Sequence, residues 1–335
     1  MFDQKKLTEY SIGESSNLFL LLIKIEKKSA RTGREYLDLE LRDKSSLIAA
    51  KMWDGFELFY NQAVEGMIVK VNCQFDEFKG MPQLKITNIR AAKESDNVSH
   101  SDFIPVSGRN FDEMKSELEE SISNISNNHL QILLEKIFDD ETKEKYLNVP
   151  AGKAWHHAYI HGLLEHTLEI IKFCNLACDI HPELNRDLLI TAAILHDLGK
   201  VEELSFKTSF DYTDKGKLIG HIVIAAMHLE EKSKKILDFP EALKNQLIHL
   251  VLSHQGRLEH ASPVIPKMAE AIVLYHADEL SAKSNAFLNV IKNEKQDKSN
   301  WTNFIRLAET AIYVPPKSED EIMKDSFLIF NRHQP

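Results

Sequence analysis

The sequence predicts an α+β chain of more than one domain: a small five-stranded β-barrel followed by an all-helical bundle. Three observations carry this. Short runs of alternating or continuous apolar residues are confined to residues 17–91, a polar stretch follows, and from Phe111 onward apolar residues recur at helical spacing. A chain of 335 residues has room for about two or three domains. With 43% apolar and 27% charged residues it has an ordinary globular composition.

The first strand is read from the apolar run within Leu18–Lys28, which ends in charge. Glu35–Arg42 alternates, setting Tyr36, Leu37, Leu39 and Leu41 around Asp38, Glu40 and Arg42. Leu47–Trp53 follows the turn-like Asp43-Lys44-Ser45-Ser46, and Met67–Phe75 and Gln83–Arg90 complete five strands. Asp54–Val64, between the third and fourth, reads as a short helix. Five strands with a helix after the third is the order of the OB-fold, a Greek-key barrel whose face and loops often bind oligonucleotides.

Residues 93–110 (KESDNVSHSD, then PVSGRN) read as a linker between a domain at 1–92 and a helical domain at 111–335. Within the latter, Met114–Phe138, Trp155–Cys178, Leu184–Leu195, Leu218–Leu237, Ala242–His254 and Pro266–Ser281 are expected as helices. After Ile312 the chain reads as irregular with one short helix, and Phe327-Leu328-Ile329-Phe330 is a candidate docking segment on another subunit or on its own core.

Several function classes are disfavoured. The 12 glycines are about half the usual share, and neither GxGxxG nor GxxxxGK[ST] occurs, so the common phosphate-cradling loops are missing. No apolar run is longer than that of Leu18–Ile23, which is far short of the roughly 20 residues that span a bilayer. The N-terminus MFDQKKLTEYS lacks an apolar signal core. Cys73, Cys174 and Cys178 show no zinc or disulfide spacing, so a cytoplasmic location without a membrane partner is expected. The net charge of −10 speaks against nucleic acid only until its distribution is considered. Residues 1–92 hold 14 Lys and Arg against 13 Asp and Glu, the remainder 27 against 38.

Histidine usage is the strongest clue: 12 of 15 histidines fall between His156 and His276. A lone histidine on a helix is usually packed or solvated, so only a set is informative. His196-Asp197, in ILHDLGK, offers one nitrogen and one carboxylate at the end of an apolar helix. His166 lies upstream, and His221, His254 and Asp278 lie downstream. The order H…HD…H…H…D has intervals of 30, 24, 33 and 24 residues, each suited to one helix and a connection. Mixed nitrogen and carboxylate ligands suit Mn, Fe, Zn, Ni or Co better than calcium. Six ligands exceed the needs of one open catalytic ion but fit two ions sharing Asp197. Two ions about 3.5–4 Å apart can stabilise both oxygens of an in-line phosphoryl displacement.

Residues 150–285 thereby resemble the HD superfamily of metal-dependent phosphohydrolases, an all-helical fold. The resemblance assigns one metal to His166, His196, Asp197 and Asp278, and adds His221 and His254 for a second, with Asp197 bridging. AWHHAYIHGLLEHT, LNRDLLITAAILHDLGK, YTDKGKLIGHI, LSHQG and YHADELSAK, placed behind an OB domain, together resemble the YhaM-type 3′→5′ exoribonuclease family over nearly the whole chain. That resemblance implies a divalent metal, manganese first, and a single-stranded RNA substrate, with single-stranded DNA as the variant. It also implies release of nucleoside 5′-monophosphates and assembly into a homo-oligomer. One position departs from the pattern: where a second histidine commonly follows the serine, this chain has Gln255.

Beside the ligands, Lys200 is expected near the same helix end as Asp197, offering a cation to a phosphate oxygen. His157 and His161 are four apart and could share a helix face. Ala158 stands where an HExxH site needs glutamate, so His157 is the candidate for substrate contact or proton donation instead. His156 is grouped with them without an assigned role. On the barrel, Arg31, Arg34, Lys51, Trp53 and Phe78 are candidate strand contacts, since OB surfaces combine basic grooves with base stacking. Trp53 could equally fill the barrel, and Lys27–Arg34 could be a solvated hairpin. Two other functions fit the same residues: hydrolysis of free or cyclic nucleotides by the same metals, and a non-catalytic nucleic-acid-binding regulator.

Overall fold

The structure is a computed structural model that describes residues 4–78, 80–153, 155–205, 211–293, 299–302 and 304–316. The chain divides into two compact units, residues 1–282 and 283–335. The first opens with β1 (Ser15–Ser29), β2 (Glu35–Arg42), β3 (Leu47–Met52), the short α1 (Glu57–Tyr60), β4 (Ile68–Phe78) and β5 (Met81–Ala91). These strands close into a barrel in the order β1-β2-β3-β5-β4, with β1 also pairing with β4. Only the β3–β5 pair is parallel.

Alternation explains the barrel. Along β2, Leu37, Leu39 and Leu41 point inward and are buried, while Tyr36, Asp38 and Glu40 stand outside them. The inward set joins Leu18, Leu20, Leu22, Ala50, Met52, Val69, Val71, Phe75, Leu84 and Ile86 in one core.

The connection at residues 93–110 contains two 3-10 turns, Glu94–Asp96 and His100–Asp102. Its apolar pair Phe103-Ile104 is buried with Leu21 and Ile68 of the barrel, and Ile160 packs against the same group. Val106 forms an isolated β-bridge to Ile160, with Ile160 N–H donating to Pro105 O and Ser107 N–H donating to Ile160 O.

Helices then follow: α2 (Phe111–Ser123), α3 (Asn128–Ile137), α4 (Asp140–Asn148), α5 (Gly162–Ile180), α6 (Arg186–Leu195) and α7 (Lys200–Glu203). A two-residue hairpin, β6 (Leu204–Ser205) and β7 (Asp211–Tyr212), precedes α8 (Asp214–Ile219), α9 (His221–Ser233), α10 (Glu241–Ser253) and α11 (Ala269–Asn293). The helix expected over Met114–Phe138 is two helices. Asn127 caps α3 by accepting from His129 and Leu130 N–H, and the intervening Ile125 is buried. The helix expected from Trp155 starts only at Gly162, because His157 and His161 hold left-handed backbone (φ 44° and 66°). They therefore precede α5 and share no helix face. Gly220 (φ 77°) splits the helix expected over Leu218–Leu237.

α6 is the centre of the bundle, buried from Leu188 through Leu195. Its cap is Asn185, whose side chain accepts from Leu188 N–H. Tyr146 on α4 is fully buried and bonds to Thr167 Oγ1 on α5 (2.7 Å) and Ile194 O on α6 (2.8 Å), fixing three helices by one hydroxyl. In the second unit Trp301 bridges to Tyr313 and Ile305 to Thr310. The tail segment Phe327-Leu328-Ile329-Phe330 lies outside the described residues.

Candidate metal centre

The six ligand candidates sit at the ends or on the inner faces of five helices. His196 ends α6 and Asp197 follows it; His221 begins α9; His254 ends α10; His166 lies in the second turn of α5 and Asp278 in the middle of α11. His166, His196 and His254 are fully buried, Asp197 is 2% exposed and Asp278 7%. The structure brings all six together.

Asp197 divides the group. Its Oδ2 lies 3.2 Å from His196 Nε2 and 3.8 Å from His166 Nε2. Its Oδ1 lies 3.3 Å from His221 Nε2 and 3.7 Å from His254 Nε2. Two triads result, His166/His196/Asp197 and Asp197/His221/His254, with the candidate ligand atoms of each triad within 4.8 Å of one another. Asp278 Oδ1 stands 3.0 Å from His166 Nε2 and extends the first triad.

Hydrogen bonds behind the rings decide what the rings can do. His196 Nδ1 bonds to Ala193 O at 2.8 Å and His254 Nδ1 to Val251 O at 2.7 Å. His221 Nδ1 bonds to Glu203 Oε1 at 3.0 Å, and the same oxygen accepts His221 N–H at 2.9 Å. His166 Nδ1 bonds to Ser281 Oγ at 2.8 Å, and Ser281 donates onward to Glu169 Oε2 at 2.6 Å. A carbonyl or carboxylate partner requires the proton on Nδ1, and Ser281, already donating to Glu169, accepts from His166. In the neutral ring every Nε2 is then a lone pair turned toward a carboxylate, nearest to Asp278 for His166 and to Asp197 for the other three. Nε2 of His166, His196 and His221 and Oδ1 of Asp197 are buried without a hydrogen bond. Orphaned buried acceptors facing carboxylates are costly unless a cation joins them, and this nitrogen–oxygen donor set fits a divalent transition metal.

The electrostatics agree for Asp197, His166 and His254, whereas at His196 burial is outweighed by Asp197 and Asp278, which hold that ring above its ordinary value. Burial would raise the Asp197 carboxyl, but Lys200, His196 and His221 outweigh it and hold the group ionised, well below the usual range. Lys200 Nζ donates to Asp197 Oδ2 at 2.5 Å and is itself 7% exposed. Burial, then neighbouring histidines, push His166 well down, and burial with His196 lowers His254 to about 4, so both stay neutral near pH 7.

Two glycines allow the helix ends to converge. A Cβ on Gly199 would lie 2.0 Å from His221 O, so only glycine lets the turn after Asp197 approach α9. Gly256 (φ 74°) turns the chain after His254-Gln255, and a Cβ there would meet the Tyr275 ring at 2.3 Å.

His157, read from the sequence as a substrate contact, is fully buried, with Nε2 3.4 Å from Glu169 Oε2. That position places it beside His166, ring centroids 5.1 Å apart. His156 is the more accessible of the pair, 5.5 Å from His166 between ring centroids, and burial followed by Lys200 lowers it to about 3. His161 Nδ1 bonds to Leu147 O at 2.7 Å, and its ring packs on Phe111 with centroids 4.4 Å apart.

On the barrel, the β2–β3 face carries an aromatic and cationic cluster. Tyr36 stacks on Trp53 with centroids 4.6 Å apart. Lys51 Nζ lies 5.2 Å from the Tyr36 ring and 4.9 Å from Phe78, which is 55% exposed. Arg34 lies 5.6 Å from the Trp53 ring and pairs with Asp54 at 2.6 Å, while Arg31 is exposed in the β1–β2 turn. Trp53 is half-buried on this outer cluster and is no part of the barrel core. Tyr36 was not singled out from the sequence. Its signal was the β2 alternation, which sets it opposite the buried leucines.

A family model described as HD domain matches residues 163–283. The 3′-5′ exoribonuclease YhaM of Listeria innocua is 37% identical over 298 residues, covering 87% of this chain and 93% of its own. The protein of the same name from a Geobacillus species is 34% identical over 328 residues, covering 96% and 98%. The chain belongs to the YhaM 3′-5′ exoribonuclease family. Among solved structures, the second OB-fold domain of replication protein A from Methanococcus maripaludis matches 27% of this chain and 94% of its own, at 18% identity and a TM-score of 0.23.

In this YhaM-family chain three residues of the centre escaped sequence reasoning: Glu169, Ser281 and Glu203. Each lies behind a candidate ligand rather than among them. Glu169, three residues after His166, had a usable signal, since i and i+3 share a helix face. Ser281 lies 115 residues from the ring it supports, and nothing local announces it.

Proposed function

We propose that this protein is a metal-dependent 3′→5′ exoribonuclease that shortens single-stranded RNA to nucleoside 5′-monophosphates. The observation that carries the reading is the splitting of Asp197 between two imidazole pairs, each with its Nε2 lone pairs turned inward. His166, His196, Asp197 and Asp278 would hold one divalent ion, and Asp197, His221 and His254 a second, with manganese the first choice. When bound, the ions supply Lewis acidity, drawing charge from the phosphoryl oxygens and the departing 3′-oxygen of an in-line displacement.

The chain's own residues do the rest. Glu203, Ser281 and the carbonyls of Ala193 and Val251 keep the imidazoles in one tautomer and orientation. Lys200, buried beside Asp197, offers a fixed positive charge to a non-bridging phosphate oxygen at the same helix end. Glu169 links His166, through Ser281, to His157, so that the first triad is anchored on both sides. On the barrel, Tyr36, Lys51, Trp53 and Phe78, with Arg31 and Arg34 at the rim, would stack and neutralise a single strand; each stacked base contributes about 1–3 kcal/mol. The curated relatives carry the exoribonuclease activity in their names, and the free thiols of Cys73, Cys174 and Cys178 support a reducing, cytoplasmic setting.

The test is a metal-stripped sample incubated with 5′-labelled single-stranded RNA, with and without Mn²⁺, beside Asp197→Ala. A ladder shortening from the 3′ end that needs Mn²⁺ and disappears in the variant is expected. Intact RNA with hydrolysis of free nucleotides would overturn the reading.

A further inference from the structure

The two triads are not equivalent: Asp278 extends the first, whose Asp197 oxygen also accepts from Lys200 Nζ, and only in the second is an imidazole Nε2 itself covered by a side chain. Nε2 of His166, His196 and His221 makes no hydrogen bond, whereas Nε2 of His254 is 3.3 Å from the side-chain nitrogen of Gln255. Because His254 Nδ1 carries its proton toward Val251 O, Nε2 must accept, and the amide atom facing it is the donor N–H₂. Gln255 therefore covers the lone pair that a cation in the Asp197/His221/His254 triad needs. Gly256 holds it there. The left-handed turn (φ 74°) and the packing of Tyr275 where a Cβ would stand fix the backbone just after Gln255, which is itself half-buried.

We infer that Gln255 sets unequal affinities in the centre: the His166/His196/Asp197/Asp278 position fills first, and the Asp197/His221/His254 position fills only as the Gln255 amide is displaced from His254. The inference rests on the two-ion reading above and adds a residue that tunes the second ion. Sharing of Asp197 would by itself make the second cation bind more weakly, so inequality alone does not identify Gln255. Its removal does.

The experiment titrates the metal-stripped full chain with Mn²⁺ by calorimetry, with bound ions counted independently by electron paramagnetic resonance. The wild type is expected to take two ions in separate steps. Gln255→Ala, and Gln255→Met as a variant that keeps the side-chain length, should tighten the second step about three- to tenfold, the range for losing one competing neutral hydrogen bond, and leave the first unchanged. His254→Ala should delete the second step alone. Equal steps in the wild type, a single step in wild type and Gln255→Ala alike, or a second step that neither Gln255 variant moves would each overturn the inference. The readout is ion occupancy without RNA. Failure of RNA trimming with these steps intact would therefore count against the nuclease reading and leave this one standing.

Discussion

Ser281 shows how much of the centre depends on side chains that touch no ion. It accepts from His166 Nδ1 and donates to Glu169, so it fixes both the proton and the tilt of that imidazole. Ser281→Ala should lower Mn²⁺ affinity at the first position roughly 10- to 100-fold, the usual cost of losing such a partner. Ser281→Thr, which keeps the hydroxyl, should restore much of it. Calorimetric titration of the two variants decides; equal losses in both would mean that packing, rather than the hydrogen bond, is what Ser281 supplies. The convergence of the six candidate ligands was legible from the sequence because His196-Asp197 are adjacent and the remaining four recur one helix apart. The shared helix face expected of His157 and His161 failed for the opposite reason. Sequence spacing suggested a helix face, but the left-handed backbone of His157 turns its ring inward against Glu169.

The elements meet where side chains are smallest. Gly199 lets the turn after α6 press against the first residue of α9, so a methyl group there must push His221 away from Asp197. Gly199→Ala should cost about 1–3 kcal/mol in a denaturant melt and weaken the second Mn²⁺ step more than the first. An unchanged melt would show that α9 can retreat freely. Elsewhere α10 is tied to the segment before α11 by Lys267 N–H donating to His249 Nε2 at 3.0 Å. Burial and Lys267 lower this imidazole from its ordinary 6.5. The folded chain thus resists a proton that the unfolded chain accepts. The stabilisation is complete above pH about 6.5 and declines as pH falls toward the depressed folded value. Between pH 7 and pH 5, wild type should lose more unfolding free energy than His249→Gln; parallel curves would remove the effect. Helix existence was readable from apolar spacing, but breaks were not. Asn124–Asn127 and Gly220 each interrupt a pattern whose periodicity continues across them.

At the scale of the molecule, metal and fold should be linked. Buried Nε2 atoms without partners and an ionised Asp197 raise the free energy of the metal-free state, so Mn²⁺ should raise the melting temperature in proportion to the logarithm of its excess over Kd. Asp197→Ala should abolish that rise; an equal rise in the variant would place the stabilising ion elsewhere. Composition also hid one large feature. Residues 93–110 are polar enough to read as a tether, yet Phe103 and Ile104 are buried against the barrel and Val106 bridges to Ile160, six residues before His166. A substrate gripped on the β2–β3 face and cut at the metal centre would thus span a set length, as against a ruler. Digestion should slow once the remaining oligonucleotide is too short to touch both ends, leaving a residue of characteristic size at long times. Substitutions at Tyr36 or Trp53 should blur that size, because they loosen the grip at the ruler's far end.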